Sequence, residues 1–178
     1  MRNLDNPLNL REKLRASTVK RWHIINTSRQ QSVAEHSFNM CLFIEEICSL
    51  CSYPELVSEA IQYAIHHDIP EVVLGDIPSS IKMLYAINDK SASLKLDPLS
   101  IPPRNKLIAE IVKLADLLDA VVFLQLYGID RYSRDVRLKI VEQIYNLDIV
   151  LYSLDEFRSF VNNVVSWETS IDSGFINE

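Results

Sequence analysis

The chain has 178 residues, 48% hydrophobic and 24% charged, which is enough for one buried core and too few for two full domains. A net charge of −6 and a pI near 5.2 disfavour duplex nucleic acid as a partner. Three glycines, with no GxGxxG or GxxxxGK segment, argue against a Rossmann sheet, a barrel or a phosphate-binding loop.

The first residues, Met1-Arg2-Asn3-Leu4-Asp5, lack the apolar stretch of a secretion signal, and no apolar run reaches membrane-spanning length. The expectation is a cytoplasmic protein with no membrane segment. A short amphipathic helix is predicted over Leu8 to Ala16, and His23 to Gln31 has no period and reads as a loop. Ser32-Val33-Ala34-Glu35 has capping-box form and starts a helix that runs to about Leu50. His36 then shares a stripe with Met40, Phe43 and Ile47.

Ser52-Tyr53-Pro54-Glu55 begins a second helix, with proline in its first turn. Its stripe Val57, Ala60, Ile61, Ala64, Ile65 leads to His67 and Asp68. Pro70 disfavours continuation, a short turn carries Glu71 to Leu74, and Pro78 starts a short helix through Lys82 and Tyr85. Asn88 to Pro103, polar and proline-rich, reads as a surface excursion with a mobile loop. Arg104 to Leu126 is the most apolar helix, stopped at Gly128, and Asp130 to Ser153 and Leu154 to Thr169 close the chain. Almost every period is helical, so the fold class is all-α: a single helical bundle over 1–178.

Cys48-Ser-Leu-Cys51 has the C-x-x-C form, yet without a second pair or a βαβ pattern these thiols read as core side chains. The chemistry lies elsewhere. An imidazole and a carboxylate buried without partners cost several kcal/mol, on the order of 2–7 for a neutral polar group alone. His67-Asp68 at the end of an apolar helix therefore needs hydrogen bonds or a metal. Asp116 and Asp119 sit among Val112, Leu114, Ala115, Leu117, Leu118 and Val121. Asp116, on the stripe of Ile108, Val112, Ala115, Ala120 and Phe123, should point inward, where a lone aspartate takes up a proton unless a cation holds it. Either a divalent ion or a core salt bridge to Lys113 or Arg21 satisfies it.

The order His36 … His67-Asp68 … Asp116 resembles the HD-domain phosphohydrolases over roughly Leu8 to Leu126. Arg21-Trp22, Ala34-Glu35-His36-Ser37, His67-Asp68-Ile69-Pro70-Glu71 and Gly75-Asp76-Ile77-Pro78 are similar to the 5′-deoxynucleotidases and phage dATP triphosphohydrolases of that superfamily. The resemblance implies a metal on His36, His67, Asp68 and Asp116. Their mixed nitrogen and oxygen set suits zinc, cobalt or manganese better than calcium. It further implies that Glu71 orients or deprotonates the attacking water, with Asp76 holding the same water or the leaving oxygen. Arg21 and Lys82 would meet the phosphates. Trp22 would offer a flat face to the deoxyribose or base, with Ile24 and Pro78 against the base. Within that resemblance, His23 after Arg21-Trp22, Ile24 itself and the compact length are more similar to the phage enzymes, which implies dATP hydrolysis over deoxynucleoside monophosphatase activity. A catalytically silent nucleotide-binding module is the alternative of another class. The partner expected is a small deoxynucleotide, and relatives of this kind assemble into homo-oligomers.

Overall fold

The computed structural model describes residues 6–78, 90–147 and 150–166. Among these there is no strand, only isolated bridges between Lys20 and Ser32 and between Thr27 and Gly128. The described residues form eight α-helices: α1 Leu10–Lys13, α2 Val33–Leu50, α3 Val57–His66, α4 Glu71–Leu74, α5 Lys90–Leu96, α6 Lys106–Tyr127, α7 Arg131–Tyr145 and α8 Asp155–Val165. The all-α expectation holds.

Local chemistry sets the boundaries. Asn9 and Glu12 cap each other's backbone at the start of α1, whose last turn tightens into a 3₁₀ segment at Leu14–Ser17. Ser32 caps α2 by accepting from the Glu35 N–H. The other half of the expected capping box does not form, because the Glu35 carboxylate takes both Arg29 guanidinium nitrogens, at 2.6 and 3.0 Å. Pro54 opens a 3₁₀ turn ahead of α3. At Gly75 the backbone reverses with φ +76°, a region that favours glycine, and this ends α4.

Helix α6 is the axis of the core. Its Ile111, Leu114, Ala115, Leu118 and Val121 meet Met40, Ile44 and Ile47 of α2, Ala60 and Ala64 of α3, and Phe157 and Val161 of α8. Each fully buried Val, Leu, Ile, Met or Phe side chain among these contributes about 1.5–3 kcal/mol, so this layer fixes the spacing of α2, α3 and α6. Cys48 and Cys51 belong to it as free thiols. Burial pushes the Cys48 thiol up to about 11, which suits a core side chain and not a redox pair. A second, smaller cluster of Leu8, Ala16, Val33, Ile69, Val72 and Leu96 ties the N-terminal segment and α5 to α4.

Several sequence expectations need correction. Ile65 is exposed, since the buried stripe of α3 is carried by the two alanines. The described part of the proline-rich excursion is folded: Leu96 and Asp97 are buried, with Asp97 accepting from Lys13 and paired with His66. Helix α7 ends at Tyr145, where Asn146 caps it, and a separate 3₁₀ turn follows at Val150–Ser153. The helix expected from Pro78 to Tyr85 lies largely outside the described residues. None of the described helices is long and apolar enough to cross a membrane.

Candidate metal centre

Three elements converge at one end of the core. His36 enters from the first turn of α2, His67 and Asp68 follow the last turn of α3, and Asp116 comes from the middle of α6. Ligand atoms of His36, His67 and Asp68 all lie within 4.8 Å of one another. His67 Nε2 is 3.2 Å from Asp68 Oδ2. His36 Nε2 is 3.7 Å from Asp68 Oδ2 and 3.5 Å from Asp116 Oδ1.

The tautomers follow from the partners. His36 Nδ1 lies 2.6 Å from Asp119 Oδ2, and a carboxylate only accepts, so Nδ1 carries the proton. His67 Nδ1 likewise donates to the Ala64 carbonyl at 2.8 Å. Both Nε2 lone pairs therefore face the carboxylates of Asp68 and Asp116. His36 Nε2 is buried and has no hydrogen-bond partner among the described residues. Two imidazole lone pairs gathered with two carboxylates, of which Asp116 also takes Lys113 and Arg21, turn more acceptors toward one point than the donors there satisfy, which is the chemistry of a cation site. The residues present fit a divalent ion.

Charges reinforce this. Burial works to raise the Asp68 carboxyl, but His67, His36 and Arg21 outweigh it and hold it well below the usual range. For Asp116 burial is likewise outweighed, by Lys113, His36, Arg21 and His67, leaving it at about 2. Of the two α6 aspartates, the fully buried one is Asp119. Asp116 is about a quarter exposed and also pairs with Lys113 at 2.8 Å and with Arg21 at 3.7 Å. Asp119 accepts from Gln31 at 2.8 and 3.1 Å, from Asn39 at 2.7 Å and from His36. This orienting role was not legible beforehand. The only sequence signal was a second aspartate one helical turn from Asp116.

A cleft of about 280 Å³ opens beside the cluster, lined by Tyr63, His67, Asp68, Glu71, Leu74 and Gly75 among others. Glu71, the first residue of α4, thus shares a wall with two of the gathered ligand atoms. The remaining described candidates lie outside this cleft. Arg21 is mostly buried, 3.7 Å from Asp116 and 3.8 Å from Asp119. Trp22 lies flat on Phe123 at 5.8 Å, and Ile24 is exposed. The Asp76 carbonyl accepts from His23 Nε2 at 2.7 Å, its carboxylate lies 3.4 Å from the same nitrogen, and Pro78 is half-buried. None of Arg21, Trp22, Ile24, Asp76 or Pro78 lines the cleft. Lys82 lies outside the described residues.

The sequence model of the HD domain matches residues 12–116, a span that contains all four gathered side chains. The chain belongs to the HD-domain family. A relative named dATP triphosphohydrolase, from Acinetobacter phage SH-Ab 15497, is 36% identical to this HD-domain chain over 143 residues, 70% of each sequence. A protein of the same name from cyanophage S-2L is 29% identical over 141 residues, 75% of this chain and 79% of that one. Among solved structures, the cyanophage S-2L HD phosphohydrolase, bound to dA and one catalytic Zn²⁺ ion, superposes with a TM-score of 0.75 at 24% identity, covering 90% of this chain and 98% of that one. A Pyrococcus horikoshii protein gives a TM-score of 0.69 at 21% identity, covering 88% and 96%. At these identities the superpositions speak for the fold.

Ion binding by this HD-domain chain should depend on pH in a fixed direction. Burial works to lower the His67 pKa, but the Asp68 charge and hydrogen bond, with Asp116, raise it above the ordinary value. Below that raised pKa the imidazole holds a proton that an ion must displace, whereas both carboxylates stay charged. Affinity for zinc should therefore fall as pH falls through the neutral range, by up to about tenfold per pH unit for one proton. Calorimetry in buffers of different ionisation enthalpy reads the released proton directly. An affinity that stays flat between pH 8 and pH 6 would contradict this.

Proposed function

We propose that this chain, working as a single HD-type domain, is a metal-dependent deoxynucleotide phosphohydrolase, and that its substrate is dATP, cleaved to deoxyadenosine and triphosphate. The observation that carries the proposal is the orphaned, fully buried Nε2 of His36, aimed at the carboxylates of Asp68 and Asp116. The dATP triphosphohydrolase relatives support the substrate.

In this reading His36, His67, Asp68 and Asp116 hold the ion, a transition metal such as zinc, cobalt or manganese. When bound, such an ion neutralises charge on a phosphate oxygen and acidifies an attacking water. Glu71 takes the proton of that water from the wall it shares with His67 and Asp68. Arg21, held beside Asp116, offers its guanidinium to phosphate oxygens, and Lys82 supplies the further cation that a triphosphate needs. Trp22, Ile24 and Pro78 receive the nucleoside, and Asp76 steadies the leaving oxygen. The protein acts in the cytoplasm, the host's if phage-encoded. Copies assemble through apolar side chains such as the exposed Tyr132, Leu138 and Tyr145 of α7.

Incubating metal-loaded protein with each of the four dNTPs and dNMPs and resolving the products tests the substrate. Deoxyadenosine and triphosphate from dATP, with little turnover of dNMPs, is the expected result. Equal turnover of every dNMP with dATP untouched would select the 5′-deoxynucleotidase reading instead. Nucleotide binding with no hydrolysis under any metal would select a silent binding module.

A further inference from the structure

Gln31 is fully buried although it sits in a loop with no apolar pattern. Its Nε2 donates to both oxygens of Asp119, at 2.8 and 3.1 Å, and its Oε1 accepts from Trp22 Nε1 at 3.0 Å. A carboxylate cannot donate and an indole N–H cannot accept, so both ends fix the same amide orientation. The Gln31 carbonyl also accepts from the Arg21 N–H at 2.9 Å, pinning the loop just before Trp22.

Trp22 has φ +68°, a left-handed conformation that a bulky side chain adopts only when its surroundings hold it. Among the described residues three contacts hold this ring: the Gln31 amide, the parallel stack on Phe123, with 6° between planes, and the Arg21 guanidinium 5.4 Å from its centroid. From Asp119 the chain of hydrogen bonds continues to His36 Nδ1, and the other ring nitrogen faces Asp68 and Asp116. An unbroken series thus runs from the indole N–H through Gln31 and Asp119 to His36 Nε2. Each link is buried or half-buried, where hydrogen bonds polarise one another.

We infer that Gln31 is a positioning residue that couples the seating of Trp22 to the orientation of His36, so that filling the ion site and presenting the indole are linked. This rests on the proposed metal-dependent phosphohydrolase reading. It adds a residue that touches neither ion nor nucleotide and acts on both through its neighbours. An ion drawing density from His36 strengthens the bond to Asp119, and the Gln31 amide passes that change to Trp22.

The test uses the full chain labelled with ¹⁵N at the indoles of its two tryptophans, Trp22 and Trp167. Zn²⁺ is titrated, with Trp22→Phe assigning the resonances and calorimetry giving the ion Kd. In the native chain the Trp22 indole N–H should shift with the midpoint of zinc binding. In Gln31→Leu the zinc Kd should rise about 10–100-fold, the usual cost of losing a group that orients a ligand, and the residual indole shift should vanish at saturation. Trp22→Phe leaves the Gln31–Asp119 contacts in place and still should weaken zinc, by roughly a lower part of the same range. An indole N–H that does not move on zinc binding, a shift that survives in Gln31→Leu, or native zinc affinity in Trp22→Phe would each overturn the coupling. Should Gln31→Leu fail to fold, the native titration and Trp22→Phe decide. A native chain that hydrolyses dATP and binds zinc yet fails these readouts sinks the coupling alone. One that binds no zinc at all sinks the metal reading as well.

Discussion

Glu71→Gln is expected to lower kcat for dATP by about 10²–10⁴, the range general acid–base catalysis supplies, while one equivalent of zinc stays bound. The substitution keeps the shape of the side chain at the head of α4 and removes its charge and its ability to take a proton. The packing that holds α4 in place, Ile69 and Val72 against Leu8, Ala16 and Leu96, does not involve the changed atom. Quantified deoxyadenosine release and elemental analysis of the same preparation check both halves. A variant that keeps native kcat would remove Glu71 from the chemistry. A variant that loses its zinc would make Glu71 part of ion retention instead.

Asp119→Asn should be nearly as damaging, by a different route. In the native protein the buried carboxylate receives donors from Gln31, Asn39 and His36. An amide in its place presents an N–H₂ to two of these donors whichever way it turns. The cheapest escape is for His36 to change tautomer, putting a proton on Nε2 and spoiling it as a ligand. Zinc affinity should fall about 10–100-fold, and activity at limiting zinc with it. Stability should drop too, because hydrogen bonds to a charged group, worth about 1.5–3 kcal/mol each, are exchanged for mismatched ones. Excess zinc should restore part of the activity lost in Asp119→Asn and none of that lost in Glu71→Gln. Full activity of Asp119→Asn at limiting zinc would contradict this account of His36.

The contrast between the two aspartates of α6 shows what a sequence carries. Asp116 and Asp119 are three residues apart, about 60° around a helix, so both fall on the apolar face and the period cannot tell which goes deeper. The structure buries Asp119 and leaves Asp116 at the rim, within 3.5 Å of His36. His67 and Asp68 were legible because a histidine–aspartate pair closing an apolar helix has few tolerable explanations, whereas His36 was singled out through the order it shares with the HD-domain family. Gln31 and Asp97 were not, since a buried polar group in a loop is justified only by distant partners: Trp22 and Asp119 for one, Lys13 and His66 for the other. The starts of α2 and α3 followed from the cap at Ser32 and from the proline at position 54. The end of α7 did not, because the apolar pattern continues past Tyr145 while the backbone stops at Asn146. Burial of a polar residue is a tertiary fact, and it is where periodicity has least to say.

The most direct measurement is anomalous diffraction at the zinc edge from crystals of the zinc-loaded protein. One peak is expected, bonded at about 2.0–2.2 Å to Nε2 of His36 and His67 and to carboxylate oxygens of Asp68 and Asp116. Zinc found only at other sites, with Nε2 of His36 still unbonded, would contradict the account.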